Sequence, residues 1–326
     1  MSGPIETSAT SAAGSWWRVA APLAGLAIVV LVFFAIPPHL GVTADQARTV
    51  AVHAVIVGVA ALGATIVIAG AGLDLSVGSV IALAGVVAAI LLRDGHALWI
   101  AIAAAIGVGL VCGAYNGLLV AGLRLPAFIA TLGTLGFFRG VAKWISGSRA
   151  ISAPTHGLET LATPRPPFAW MLVAPGVWIL LALATATAFF VHRSVPGRHL
   201  LAVGGNEAAA RRCGIPVGRV RFLSYALAGT LAGVAGLLQF ARLRSGDPTV
   251  AIGLELDVIA AVVIGGASLS GGSASVLGTL AGAVMIAYLR NRCAVLGWPN
   301  HVQEMIVGHI VILAVAIDLW RRRRRK

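Results

Sequence analysis

Lysine is nearly absent: Lys143 and Lys326 are the only two in 326 residues. A P-loop needs G-x-x-x-x-G-K-[ST], because its lysine reaches the β- and γ-phosphates. Lys143 sits in Val141-Ala142-Lys143-Trp144-Ile145-Ser146 and Lys326 is the last residue, so neither completes one. Any ATP-driven work by this chain would need an ATPase on another polypeptide. Charge of either sign is scarce too, 11% of residues against roughly 25% in soluble domains. That excludes an ordinary soluble enzyme and a disordered chain, which needs high charge and low hydrophobicity. Cysteine is also sparse. Cys112, Cys213 and Cys293 are far apart, giving neither a disulfide framework nor a CxxC metal pair. The eight histidines lack H-x-x-x-H and H-E-x-x-H spacing, so no metal site is expected.

What is present is apolar. Hydrophobic residues are 59%, and the 40 glycines bring the apolar share to about 70%, against roughly 45–50% in soluble proteins. A bilayer core about 30 Å thick takes about 20 residues per helix. The composition therefore gives an all-α polytopic membrane protein with about ten transmembrane helices. Ten apolar segments are expected at 18–37, 47–70, 76–92, 97–121, 126–146, 168–191, 220–241, 255–268, 274–290 and 302–320. Turn residues separate them, including Arg93-Asp94-Gly95 and Pro164 to Pro167.

The net charge of +13 reads as orientation rather than nucleic-acid binding, since basic residues cluster on the cytoplasmic side of spans. With the N-terminus inside, fourteen of the 24 basic residues fall in inside loops or the tail. Both termini are thus expected to be cytoplasmic. Residues 1–17 read as a flexible cytoplasmic lead, 18–320 as one transmembrane domain with a cytoplasmic loop over 192–219, and 321–326 as a basic cytoplasmic tail. Gly-Thr-Leu-Ala-Gly occurs twice, at 229–233 and 278–282. Each GxxxG pair lets another backbone approach closely, either another helix of this chain or a second copy.

The loop over 192–219 contains a short helix with its own start and stop signals. Asn206 after Gly205 is a good N-cap. Glu207 stands at the positive end of the dipole, Arg211 and Arg212 at the negative end. Ala208, Ala209 and Ala210 favour helix. Gly214 suits the left-handed position after the last turn, and Pro216 stops continuation. Two turns cannot be stable alone in water. The helix reads either as a solvated connector or as a piece that docks into a partner.

Asp74, Glu255 and Asp257 are acidic residues at the edges of apolar segments three and eight. They read either as helix caps or, with the neighbouring Ser76, as the lining of a polar path at a glycine-broken helix. Asn116, near the end of segment four, either bonds between helices or contacts solute. Segments three and eight run in opposite directions, which fits an inverted five-plus-five repeat with some broken or short helices. Gly265 to Ser273 reads as a tight turn. The competing class is an ion-coupled secondary transporter, which calls for paired ionisable residues deep within the spans.

Several stretches, in order over about 45–290, resemble the permease subunits of ABC importers of the ribose/xylose (monosaccharide) type. They are Gly72-Leu73-Asp74-Leu75-Ser76-Val77-Gly78-Ser79, Leu125-Pro126-Ala127-Phe128-Ile129-Ala130-Thr131-Leu132-Gly133-Thr134 and Gly204-Gly205-Asn206-Glu207-Ala208-Ala209. A longer one runs from Leu256-Asp257 through Gly265-Gly266-Ala267-Ser268-Leu269 to Gly278-Thr279-Leu280-Ala281-Gly282. The family often has Gly-Gly before the aliphatic-Asp pair, whereas Ala71 stands first here. The resemblance implies alternating access in the plasma membrane of a bacterium, without enzymatic activity or cofactor on this chain. It implies a second permease copy, two cytoplasmic ATPase domains that hold ATP and Mg, and an extracytoplasmic solute-binding protein. It also implies that the Gly205–Gly214 stretch is a coupling helix. Related nucleoside and branched-chain amino acid permeases share much of the pattern.

Overall fold

The computed structural model describes residues 43–166, 168 and 171–323. The expected first segment, 18–37, and the lead before it lie outside the described residues. Each of the other nine segments coincides with a helix. They are α1 (Ala44–Ala69), α2 (Val77–Arg93), α3 (Leu98–Gly117), α4 (Ala127–Ser146), α5 (Pro175–Arg193), α8 (Val217–Leu243), α9 (Leu254–Ile264), α10 (Val276–Val295) and α11 (Asn300–Arg323). Two short helices, α6 (Val195–Gly205) and α7 (Glu207–Arg212), fill the loop between α5 and α8. A π-helical turn, Leu118–Gly122, extends α3. The protein is thus an all-α, multi-pass membrane protein.

Four described stretches combine span length with apolarity: α1, Leu98–Gly122, α5 and α8. Their burial separates two layers. The most apolar window of α1 is 89% buried, against 28% for those of α3 with its extension and of α5. A helix that is apolar all round belongs in the centre, and α1 is lined on every side by α5, α8, α9 and α10. Trp99, Trp144, Trp178 and Phe189 on the outer helices stand exposed, as lipid contacts require. At about 1.5 Å per residue α9 spans only about 16 Å, too short to cross the bilayer, which agrees with the expected short helix.

Small residues set the helix spacing. Gly109 and Gly113 of α3 meet Gly229 and Gly233 of α8 backbone to backbone. Gly278 and Gly282 of α10 lie against Gly265 and Ala261. Both GxxxG pairs therefore pack inside the chain, not against a second copy. Deep between α1 and α10, the Thr65 and Thr279 hydroxyls meet at 2.8 Å.

The loops sort onto two ends. At one, the break after α1, the C-terminus of α6 and the turn after α9 come together: Gly272 N–H donates to Ala69 O at 2.9 Å. Gly204 is wedged against Ala69 and Gly272, where a side chain has no room. At the other, Ile151–Ser152 pairs antiparallel with Ser245–Gly246. This sorting matches the expected alternation of loops. Helix α11 runs on into the basic stretch as far as Arg323; the last three residues lie outside the described ones.

Candidate functional site

Between α1 and α2 the chain leaves the helix over Gly70 to Ser76 and re-enters it at Val77. Ala71 takes the left-handed conformation, φ 58°, and the carboxylate of Asp74 closes the following turn. Asp74 Oδ1 accepts from Ser76 N–H at 2.8 Å and from its hydroxyl at 2.7 Å. Asn116 Nδ2 reaches across from α3 and donates to Ser76 Oγ at 2.8 Å. Ser76 and Asn116 are fully buried. Asn116 Oδ1 is buried without a hydrogen-bond partner among the described residues. Tyr225 on α8 donates to the carbonyl of Leu73 at 3.0 Å. Three of the candidate path residues, Asp74, Ser76 and Asn116, thus form one directed chain that ends on the carboxylate.

Glu255 joins this group from the opposite side. Its Oε2 lies so close to Gly78, in the first turn of α2, that a Cβ there would approach it to 2.8 Å. Its Oε1 accepts from Gly253 N–H at 3.2 Å. Arg139 on α4 donates to the carbonyls of Pro248 and Val250 at 2.8 and 2.7 Å, which holds the loop before α9 against α4.

Asp257 does not join them. It faces a separate cleft, where Arg290 Nη2 donates to Oδ1 at 2.8 Å and Nε stands 2.7 Å from Oδ2. The five expected path residues therefore split between two places. Arg290 was not singled out by sequence, because a basic residue near the end of an apolar run reads as an orientation signal. A charge at membrane depth that faces inward and pairs was the other reading available. Tyr225 carried no signal at all.

The short helix α7 is built as its signals require. Asn206 Oδ1 accepts from Ala209 N–H at 3.0 Å, and Gly214 takes φ 78°. Glu207 is held by Arg211 at 2.7 Å and by Arg221 of α8 at 2.5 Å. The hydrogen bond from Arg211 is the main reason its carboxyl sits below the ordinary value of 4.5. Ala210 packs inward, while Gly205, Ala208, Ala209, Arg211, Arg212 and Gly214 are exposed. The helix α6 before it is a structural addition to the expected loop. Among the described residues no cluster of His, Cys, Asp and Glu could hold a metal ion.

Residues 46–315 match the family described as branched-chain amino acid transport system / permease component. The chain belongs to this family. It is 39% identical over 265 residues to the ribose import permease protein RbsC of Escherichia coli strain K12, covering 79% of this chain and 80% of that protein. It is 37% identical over 258 residues to the autoinducer 2 import system permease protein LsrC of Klebsiella pneumoniae, covering 79% and 74%. It is 32% identical over 269 residues to the L-arabinose transport system permease protein AraH of Escherichia coli strain K12, covering 82% and 81%. No solved structure matches the chain. Membership makes this a transport component, not an enzyme.

Proposed function

We propose that this chain is the membrane-spanning permease of an ABC importer for a monosaccharide, acting by alternating access in a bacterial inner membrane. Import of ribose and of L-arabinose is what two of the relatives are named for, and that supports a sugar as solute. The observation that carries the ATP-driven reading is α7. It is capped at both ends, exposes Ala208 and Ala209, and is joined through α6 to the helix break that holds Asp74. Two copies of the chain, each receiving an ATPase domain at α7, would switch the side to which the path opens. Movement of α7 is transmitted through Gly204, which sits against Ala69 and Gly272. Both termini and α7 face the cytoplasm in this reading, and an extracytoplasmic binding protein delivers solute at the opposite end.

Asp74, Ser76, Asn116 and Glu255 gather around the start of α2 and form the hinge of the path, while Asp257 faces a separate cleft. The reading is tested by reconstitution in liposomes with the partner ATPase and binding protein. Uptake of labelled ribose or arabinose should require internal ATP and all three components. Uptake by the chain alone, driven by an ion gradient, overturns the reading in favour of a secondary transporter.

A further inference from the structure

We propose that the cavity beside α7 is a binding site for a phosphate-bearing anion. The proposal goes beyond the importer reading and does not depend on it, because binding is read on this chain alone. The cavity lies between the break after α1, the π turn, the start of α4, α7 and α8. It is half open and has a volume of about 330 Å³, inside the roughly 300–1,000 Å³ of small-molecule sites. Arg124, Glu207, Arg211 and Arg221 stand on its wall. Three arginines against one carboxylate leave that wall with a net charge of +2.

The donors on the wall are not used up by one another. One oxygen of Glu207 takes Nε and Nη2 of Arg211, and the other takes Nη2 of Arg221. Arg221 commits only that nitrogen. The side chain of Arg124 makes no hydrogen bond or ion pair among the described residues, so its five N–H groups are open. Its backbone stands at φ 56°, an angle uncommon for any residue but glycine. Orientation by the positive-inside rule asks only that arginines stand in cytoplasmic water. It does not ask that arginines from three separate elements converge on one cavity, or that the side chain of Arg221 be only 27% exposed.

The start of α4 adds charge of the same sign. Pro126 and Ala127 are on the wall, and Pro126 makes no side-chain hydrogen bond to cap the helix. The first N–H groups of a helix lack partners within it and carry partial positive charge. A carboxylate fills one guanidinium fork with its two oxygens. A phosphate has oxygens for donors that approach from several sides, and arginine forks pair with it closely. Here the donors come from the turn before α4, from α7 and from α8. A phosphate held between Arg124 and Arg221 would tie that turn to α8 beside the short helix.

The test uses the full chain in phosphatidylcholine nanodiscs, in buffer free of phosphate and sulfate. Two probes are compared: phosphatidylglycerol as a minor component of the bilayer, and millimolar inorganic phosphate in solution. A ligand that binds only the folded chain raises the unfolding midpoint as its concentration rises. At least one probe should do so, and which one does tells a lipid headgroup from a soluble phosphate. Arg124→Gln should weaken the apparent affinity about tenfold, the scale of a lost charge-assisted contact, while the midpoint without probe is kept. Arg124→Lys keeps the charge but not the fork and should fall between; it carries the comparison if Arg124→Gln does not fold. Arg219→Gln removes an equal charge at the start of α8, off the cavity wall, and should change the affinity by about twofold or less. No shift with either probe, an affinity unchanged by the Arg124 variants, or an equal loss in Arg219→Gln overturns the site.

Discussion

Asp74 and Ser76 are bound twice over: one carboxylate oxygen of Asp74 takes both the backbone N–H and the hydroxyl of Ser76. That pairing starts α2 inside the bundle, beside Asn116 and Glu255. Asp74→Ala strands a buried N–H and hydroxyl, which costs about 1–3 kcal/mol each. The variant should still reach the membrane, with uptake lowered more than tenfold. Asp74→Asn keeps the accepting oxygen and should retain the fold. Measuring uptake of both against their membrane level separates turn from path: normal uptake by Asp74→Ala removes Asp74 from the path.

Ala71 occupies a left-handed position where a side chain costs roughly 1–2 kcal/mol. Glycine relieves that cost but loses about 0.5–1 kcal/mol through the unfolded chain. Ala71→Gly should therefore stabilise the protein by about 0.5–1 kcal/mol, read as a raised midpoint of thermal unfolding in detergent. A lowered midpoint contradicts this account of the residue.

Asp257 and Arg290 form a largely buried pair, with the Asp257 side chain 3% exposed and that of Arg290 28%. Breaking such a pair leaves an uncompensated charge, about 3 kcal/mol or more. Asp257→Asn should be clearly destabilised. The double change Asp257→Leu with Arg290→Met removes both charges and should regain most of that stability. Uptake should stay low in the double variant, because the charged pair is gone from the cleft. Restored uptake with restored stability assigns the pair to packing alone.

The depressed carboxyl of Glu207 gives a direction for pH. A carboxyl lowered in the folded state adds stability above its ordinary value of 4.5, and the gain is lost as pH falls through the folded value. The side chain is 37% exposed, so solvent screens the effect. Protection of α7 amides from hydrogen exchange should fall as pH drops below 4.5, after correction for intrinsic rates. Glu207→Gln should be flat over the same window; an equal fall in that variant points to another group.

The spans were legible because runs of about twenty apolar residues have one meaning in a bilayer. The caps of α7 were legible because Asn206 and Gly214 act locally. Helix α6 was not, since Gly197, Gly204 and Gly205 read as loop. Its signal was Ser194 two residues before Pro196, an N-cap whose hydroxyl accepts from Gly197 N–H at 3.0 Å. The π turn after Gly117 leaves no mark in the residues. The separation of Asp257 from Asp74 depends on how five helices remote in sequence come together. No local pattern encodes that.

Ala209 offers the most direct test of how the machine is driven. It is exposed on α7, next to the buried Ala210. A helix that docks into a fitted groove buries such a face. Ala209→Trp would then overpack the contact by about 1–3 kcal/mol, weakening assembly by roughly one to two powers of ten. On a solvated connector the same change stays within about 0.5 kcal/mol. Co-purification with the ATPase should drop, and solute-stimulated hydrolysis with it, while the unfolding midpoint of the isolated variant is unchanged. That last readout excludes a folding defect. Full assembly and full uptake by Ala209→Trp would show that α7 carries no ATPase, and the force would have to enter the chain elsewhere.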